Sequence, residues 1–422
     1  MALLSKRGRF KTGTGGFGTL VPVSGLGFQP KAILFHWNGR TETVDTAGNT
    51  FHQKGIGFAI PSGPNVCVTA SSQHNANPAN SHHDMHESRA IFTLTATGGN
   101  DGEMILDSVN VDGFTMKVID AFAADLTIEF MAWGGSDITN ASVISFQEPV
   151  SAGVQNVDGV GFSPDAIFFI TNASGAASVG ITADSIQCFG IAAGGTIKNY
   201  CHSGGSDNGV SPAQTISYCR SGESIGVVSS DLTALNSRGY VSSRRPSGFE
   251  LTWNEVPGNG QRETFALCIK GGLWYLGDFL SSTDLADKVV GGFGFGQAPK
   301  GGIVVSHCNS QSVQDVANTG DERSFGTFND ANDEWAMAYE DVDNLSASRV
   351  QTAYEDKVYA GCNSVGGLDA RVGVKTVGVD SLTFEQINMD ANNRFIWFLV
   401  WADSAKHRLI HRGNVLGGVL TL

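Results

Sequence analysis

One motif, two glycines followed by a phenylalanine and a proline at a strand start, occurs three times and limits what this chain can become. It reads GLGFQPKAILF at 25–35, GVGFSPDAIFF at 159–169 and, with one extra residue, GFGFGQAPKGGIVV at 292–305. The prolines Pro30, Pro164 and Pro299 stand 134 and 135 residues apart. Other landmarks keep the same step. Phe10, Phe146 and Phe279 open each copy, and Phe58, Phe189 and Phe325 mark a middle element. GFTMKV, GFELTW and SLTFEQ form a later strand, while IEFMAWGG, TFALCIKGG and RFIWFLVWAD close the copies. A self-similar period of this kind is the signature of a tandem array.

Each copy reads as β structure. Phe249, Leu251 and Trp253 alternate with Glu250, Thr252 and Asn254, as in a strand buried on one face, and Phe114, Met116 and Val118 do the same. The runs 166–170 and 395–401 are unbroken apolar, which suits strands covered on both faces or lying at an interface between copies. Proline cannot donate to a ladder and so fits the first residue of a strand, and the glycines before it permit a tight corner. The fold expected is all-β: three tandem antiparallel β-sandwich modules, jelly-roll or immunoglobulin-like, of about 135 residues with seven or eight strands each. The boundaries fall at 1–140, 141–273 and 274–422. Ser282 to Val289 is the one segment with a helix signal, Thr283 or Asp284 serving as cap. The connectors are short and carry Leu273, Trp274 and Leu276, so the modules are expected to pack against one another.

Composition agrees. Of 422 residues 54 are Gly and 11 Pro, with 41% hydrophobic and 16% charged, a balance that excludes collagen, coiled coil and disordered chains. Net charge is −14, which argues against nucleic acid as a partner because phosphate binding needs a basic footprint. Basic residues gather at the ends: Lys6, Arg7, Arg9 and Lys11 before the first acidic residue, Lys406, Arg408 and Arg412 after the last. They are solvated ends on one reading and arms that dock on acidic partner surfaces on the other. No apolar signal segment opens the sequence, and the longest apolar run, 395–402, is too short to span a bilayer. Seven cysteines without a C-x-x-C pair fit neither a disulfide scaffold nor a zinc ribbon. A soluble chain made in a reducing compartment is expected.

Little in the sequence points to chemistry. His82, His83 and His86, in the polar stretch 74–87, are the candidate metal ligands, with a polar interaction loop as the default. The acidic stretches 329–334 and 340–344 lack the Gly and Glu of a calcium loop and read as solvated turns. Residues 13–18 match a dinucleotide fingerprint only formally, since no strand–helix unit surrounds them. There is no P-loop and no nucleophile elbow. Cys201 and Cys219, in matching Tyr-Cys-x-Ser-Gly contexts on neighbouring strands, could form a disulfide or remain buried thiols. Trp133, Trp274, Trp397 and Trp401 read as core and interface anchors, and His36 with Trp37 as the best candidates for an exposed, glycan-contacting pair. No catalytic residue, cofactor or metal is assigned.

With these motifs in place, the sequence resembles tandem-repeat β-sandwich proteins of tailed-bacteriophage virions, which carry GVGFQPDAI-like strands, a GF-x-L strand and a closing strand followed by GGSD. The matches are GLGFQPKAI, GVGFSPDAI, GFTMKV, GFELTW and AWGGSDITNASV from Ala132. The last third departs, with WADS for GGSD and SL for GF. A weaker likeness is to H-type lectin sandwiches. The resemblance implies a non-enzymatic virion protein made in the bacterial cytoplasm, for capsid decoration or a neck or tail appendage. Its partners would be copies of itself and other virion proteins, without nucleic acid or membrane insertion. The alternative it leaves is a lectin-like receptor-binding fibre that recognises host surface glycan.

Overall fold

The computed structural model describes residues 2–42, 46–48, 52–257, 261–307, 317–330, 332–362, 368–388 and 393–404. Every regular element among them is a β-strand. Among the described residues no helix is long and apolar enough to cross a membrane. The helix expected over Ser282–Val289 is absent; Asp284 there accepts the Ala286 N–H at 2.9 Å in a local turn, which leads into the strand Lys288–Gly291.

The strands form six antiparallel sheets, three of seven strands and three of four, and one strand order recurs in each set. In the first seven-stranded sheet the order is Leu4–Lys11, Thr127–Gly134, Pro30–Trp37, His52–Ala59, Asn65–Ser72 and Ser81–His86. Its seventh strand, Thr182–Ala183, comes from the second third of the chain. The second sheet is completed by Ala317–Thr319 from the last third, and the third sheet by Thr46–Gly48 from the first. The exchange therefore closes on itself. Each third carries eleven strands, one of them loaned to a neighbour, instead of seven or eight.

Three loops repeat this closure at one end of the molecule. Ala79 N–H donates to Val210 O (2.8 Å) and Ala79 O accepts from Gly209 N–H (2.7 Å). Ala213 is bridged in the same way to Leu345 and Asn344, and Ser348 to Ala76 and Asn75.

Burial explains the two apolar patterns in the sequence. Phe114, Met116 and Val118, on a four-stranded sheet, pack with Ile33, Phe35 and Cys67 of the seven-stranded sheet beneath. Phe249, Leu251 and Trp253 pack likewise with Ile167 and Phe169, and Leu382 and Phe384 with Val304 and Phe398. The opposite faces of the seven-stranded sheets meet in one shared core that includes Leu34, Trp133, Phe168, Ile170, Ile303, Trp397 and Trp401. A strand with cores on both sides must be apolar at every position, whereas the outer sheets alternate. Trp133, Trp274 and Trp401 gather in this core, Trp133 lying 5.4 Å from Trp401 and Trp274 5.6 Å from Trp401 between ring centroids.

Register corrects one landmark. Phe58 pairs with Leu34, but Phe189 and Phe325 pair two residues further along, with Ile170 and Val305, the counterparts of His36. The residue that corresponds in all three is the glycine beside them: Gly57, Gly190 and Gly326. A β-carbon there would lie 1.8, 1.7 and 1.9 Å from the carbonyl oxygens of Ala90, Ser224 and Val358, where the chain enters each outer sheet. Only glycine lets the two layers approach so closely.

Candidate functional site

The repeated corner leads into the strands Pro30–Trp37, Ala166–Thr171 and Gly301–His307, the third in each seven-stranded order. Gly25 and Gly27, Gly159 and Gly161, and Gly292 and Gly294 all have φ between +74° and +102°, the left-handed region in which a side chain is strained. In the first third the Asp112 carboxylate accepts the N–H groups of Gly25 and Gly27 at 3.0 and 2.8 Å. In the last third Asp380 does this for Phe295 and Gly296.

Counting three residues back from the shared glycines gives Lys54, Gln187 and Arg323. The fold brings all three together in the shared core, where strand period would place apolar side chains. Asp321 is their counter-charge: it lies 2.5 Å from Lys54 Nζ and 2.9 Å from Arg323 Nε. Arg323 also donates to the backbone oxygens of Gln187 (2.9 Å) and Gly204 (2.8 Å), so one guanidinium ties the third and second sheets together. Burial opposes charge on Asp321, yet Arg323 and Lys54 hold its carboxyl below the usual range. Burial lowers Lys54 despite Asp321. Asp341, hydrogen-bonded by Ser72 at 2.9 Å, is pushed up by burial to about 7. His52 stands 3.6 Å from it and is held well below its ordinary value by burial. A small hollow of about 20 Å³ adjoins this cluster, lined by His36, Gln187, Phe189, His202, Arg323 and Tyr339.

The residues singled out from sequence lie elsewhere or in other roles. His36 and Trp37 are buried, His36 stacked on Phe325 at 4.3 Å, because their strand has a core on each side; they form no exposed pair. His82, His83 and His86 lie on the strand Ser81–His86, not in a loop. His82 meets Asn80 and His83 meets the Asp184 carbonyl, on the strand's two faces, while His86 lies 3.4 Å from Asp84. His82 and His86 are four positions apart along the strand, about 13 Å. Among the described residues no group of three or more His, Cys, Asp or Glu is placed to hold a metal. Cys201 and Cys219 are on adjacent strands, but Cys201 pairs with Arg220 and Cys219 with His202. One rung of offset sends them to opposite faces, into different cores, so no disulfide joins them.

The N-terminal basic residues belong to an edge strand. Arg7 Nη2 lies 2.6 Å from the Asp333 carboxylate and Lys6 Nζ 3.4 Å from it. Arg9 lies over the Trp335 ring at 3.9 Å, and Lys11 donates to the Asp125 carbonyl at 2.9 Å. Lys406, Arg408 and Arg412 lie outside the described residues. The acidic stretches are solvated turns only in part: Asn332 is an exposed turn residue, and Asp343 and Asn344 form a bend. Glu334, Glu340 and Asp341 are buried strand residues, since this hairpin sits inside the third sheet.

Two surface features remain. A recess of about 250 Å³ lies where the second and last thirds meet, bounded by Asp165, Arg244, Trp274, Phe293 and Phe295. Arg244 there is engaged with the carbonyls of Pro164, Asp165 and Gly194 at 2.6–3.0 Å. Each outer sheet also ends in a strand that carries exposed apolar side chains: Leu20 in the first, Val154 in the second and Val289 in the third.

Buried carboxyls give the fold a signed pH dependence. Burial pushes Glu129 up to about 8, and Glu148, Glu334 and Asp341 to about 7; burial and then the Glu322 carboxylate also raise Glu340. The folded state retains protons that the unfolded chain has released above its carboxyl range, so stability is complete at low pH and falls as pH climbs through these values. His36 and His83, lowered by burial to about 3 and about 4, act oppositely but only below about 6.5. Between pH 6.5 and 8.5 these carboxyls lower stability as pH rises, by an amount on the order of a few kcal/mol. Thermal melts at constant ionic strength should therefore show Tm falling across that interval. A flat or rising Tm refutes this assignment.

Phenylalanine-anchored alignment hides Lys54, Gln187 and Arg323, because it is two residues out of step in the first third. Glycine-anchored alignment would have exposed a polar residue at the same interior position in each copy. Comparison of the chain with protein-family models, curated proteins and solved structures finds no match in any of the three.

Proposed function

We propose that the chain is three fused copies of one two-layered β-sandwich unit around a pseudo-threefold axis, and that it serves as a non-enzymatic structural protein on the exterior of a tailed-phage virion. Each copy would meet neighbouring proteins through its outer sheet. The observation that carries this reading is the cyclic loan of edge strands, first to third, third to second and second to first. A sheet edge left open is a template for adventitious pairing. Here the inner edges are closed within one chain, which makes a rigid block with three similar outward faces.

Supporting this, the interior of the block is occupied by packed aromatics and a neutralised charge cluster. Six of the exposed apolar residues lie on or just before the end strands of the outer sheets: Phe17 and Leu20, Val150 and Val154, Leu285 and Val289. Bulky apolar groups at the rim of all three sheets fit a protein that works by contact. The test is a density map, with peptide mass spectrometry, of purified particles of the source phage. A three-lobed exterior density that accepts this fold is expected. Absence of the chain from purified particles overturns the reading.

A further inference from the structure

The three seams between adjacent thirds are alike in geometry but not in chemistry. Ladder register places Glu129, Phe265 and Trp397 at one corresponding position, opposite Arg9, Ser145 and Asp278. Phe265 and Trp397 join the shared core, and Trp397 lies 4.6 Å from the Tyr200 ring of the neighbouring third. At the seam between the first and last thirds the aromatic is replaced by Glu129, 1% exposed, with neither carboxyl oxygen hydrogen-bonded.

That seam differs in its other contacts too. Trp335, Met337 and Tyr354 form a small apolar cluster separate from the shared core. Polar links surround it: Arg7 and Lys6 to Asp333, Arg7 N–H to Asn329 at 3.1 Å, and Asn38 Nδ2 to the carbonyls of Ala338 (3.3 Å) and Ala353 (2.9 Å). It is also the one seam whose two sides are not consecutive in sequence, so no short connector holds it shut.

We infer that this first-to-last seam, closed over the Glu129 carboxyl, is where the ring opens: it releases in mild alkali while the seams closed by Phe265 and Trp397 stay shut. The groups that face Glu129 are Arg7 and Arg9 from its own sheet's edge strand, His36 from the strand on its other side, and Tyr354 from the last third, with Trp335 lying under Arg9. Arg7 is committed to Asp333, and Arg9 lies on Trp335. His36 is uncharged above pH 6.5, since burial holds it near 3. Burial outweighs the two arginines and keeps Glu129 protonated at neutral pH, so its ionisation places an unshared charge in an apolar seam.

The test is hydrogen–deuterium exchange of the intact chain at pH 6.5 and 9.5, corrected for intrinsic rates. Exchange in 4–11 and 333–342 should rise at least tenfold at the higher pH, with 140–147 and 273–280 unchanged. Glu129→Gln should abolish the rise, and Glu129→Phe, which copies the second third, should do the same if the first variant folds poorly. No rise in the unmodified chain, an equal rise at all three seams, or a rise that persists in the variants would each overturn the inference.

Discussion

Replacing Asp321 with Ala should cost the fold about 3–5 kcal/mol, the penalty typical of breaking a buried ion pair from one side. The reason is geometric. Asp321 is fully buried and is the shared partner of Lys54 at 2.5 Å and Arg323 at 2.9 Å. Without it, two cations from different thirds face each other in a medium that cannot solvate them. Removing all three charges (K54M, D321L, R323M) should recover at least half of the loss, because an apolar layer of similar volume avoids the desolvation penalty. Urea unfolding of both proteins at pH 7 measures the difference. A single-variant loss under about 1 kcal/mol, the range of an exposed pair, would mean that the cluster is solvated and contributes nothing to holding the thirds together.

The second large effect concerns the glycines shared by the three thirds. Gly57→Ala, Gly190→Ala and Gly326→Ala should each destabilise by about 3 kcal/mol or more, the upper limit of ordinary overpacking. In each case the new β-carbon meets a backbone carbonyl oxygen at under 2 Å, and a carbonyl cannot rotate away as a side chain can. Gly16→Ala, where nothing lies within 4 Å, should stay within ±0.5 kcal/mol and serves as the control. Thermal melts of the four variants check this. If one of the three substitutions is tolerated, the layers do not approach in that third, and the threefold equivalence fails there.

Much of the local structure was legible in the residues. The repeated corners needed left-handed glycines, which all three have, and a donor-free strand start, which Pro30 supplies; after Pro164 and Pro299 the strands begin two residues later, at Ala166 and Gly301. Alternation in 249–254 and unbroken apolarity in 166–170 and 395–401 predicted one covered face and two, and burial agrees. The prediction went wrong where a residue's fate depends on a distant partner. His36 and Trp37 carry polar atoms and stand at a strand end, which reads as exposure until Phe325 of the last third covers His36 and the outer sheet of its own third covers Trp37. Arg7 and Arg9 look like a free arm until Asp333 and Trp335, more than 300 residues away, are folded against them. Cys201 and Cys219 share a motif, but a single rung of register, invisible in sequence, separates their faces.

The sequence by itself determined an all-β chain and its threefold recurrence, because strand periodicity, glycine corners and proline starts are short-range constraints that each residue meets with its immediate neighbours. The tertiary structure alone decided that the recurrence closes in a ring, with loaned strands as short as Thr182–Ala183 and a charge cluster drawn from distant thirds. Two residues are too few to carry a period, and a buried charge can be recognised only once the partner that neutralises it is in place.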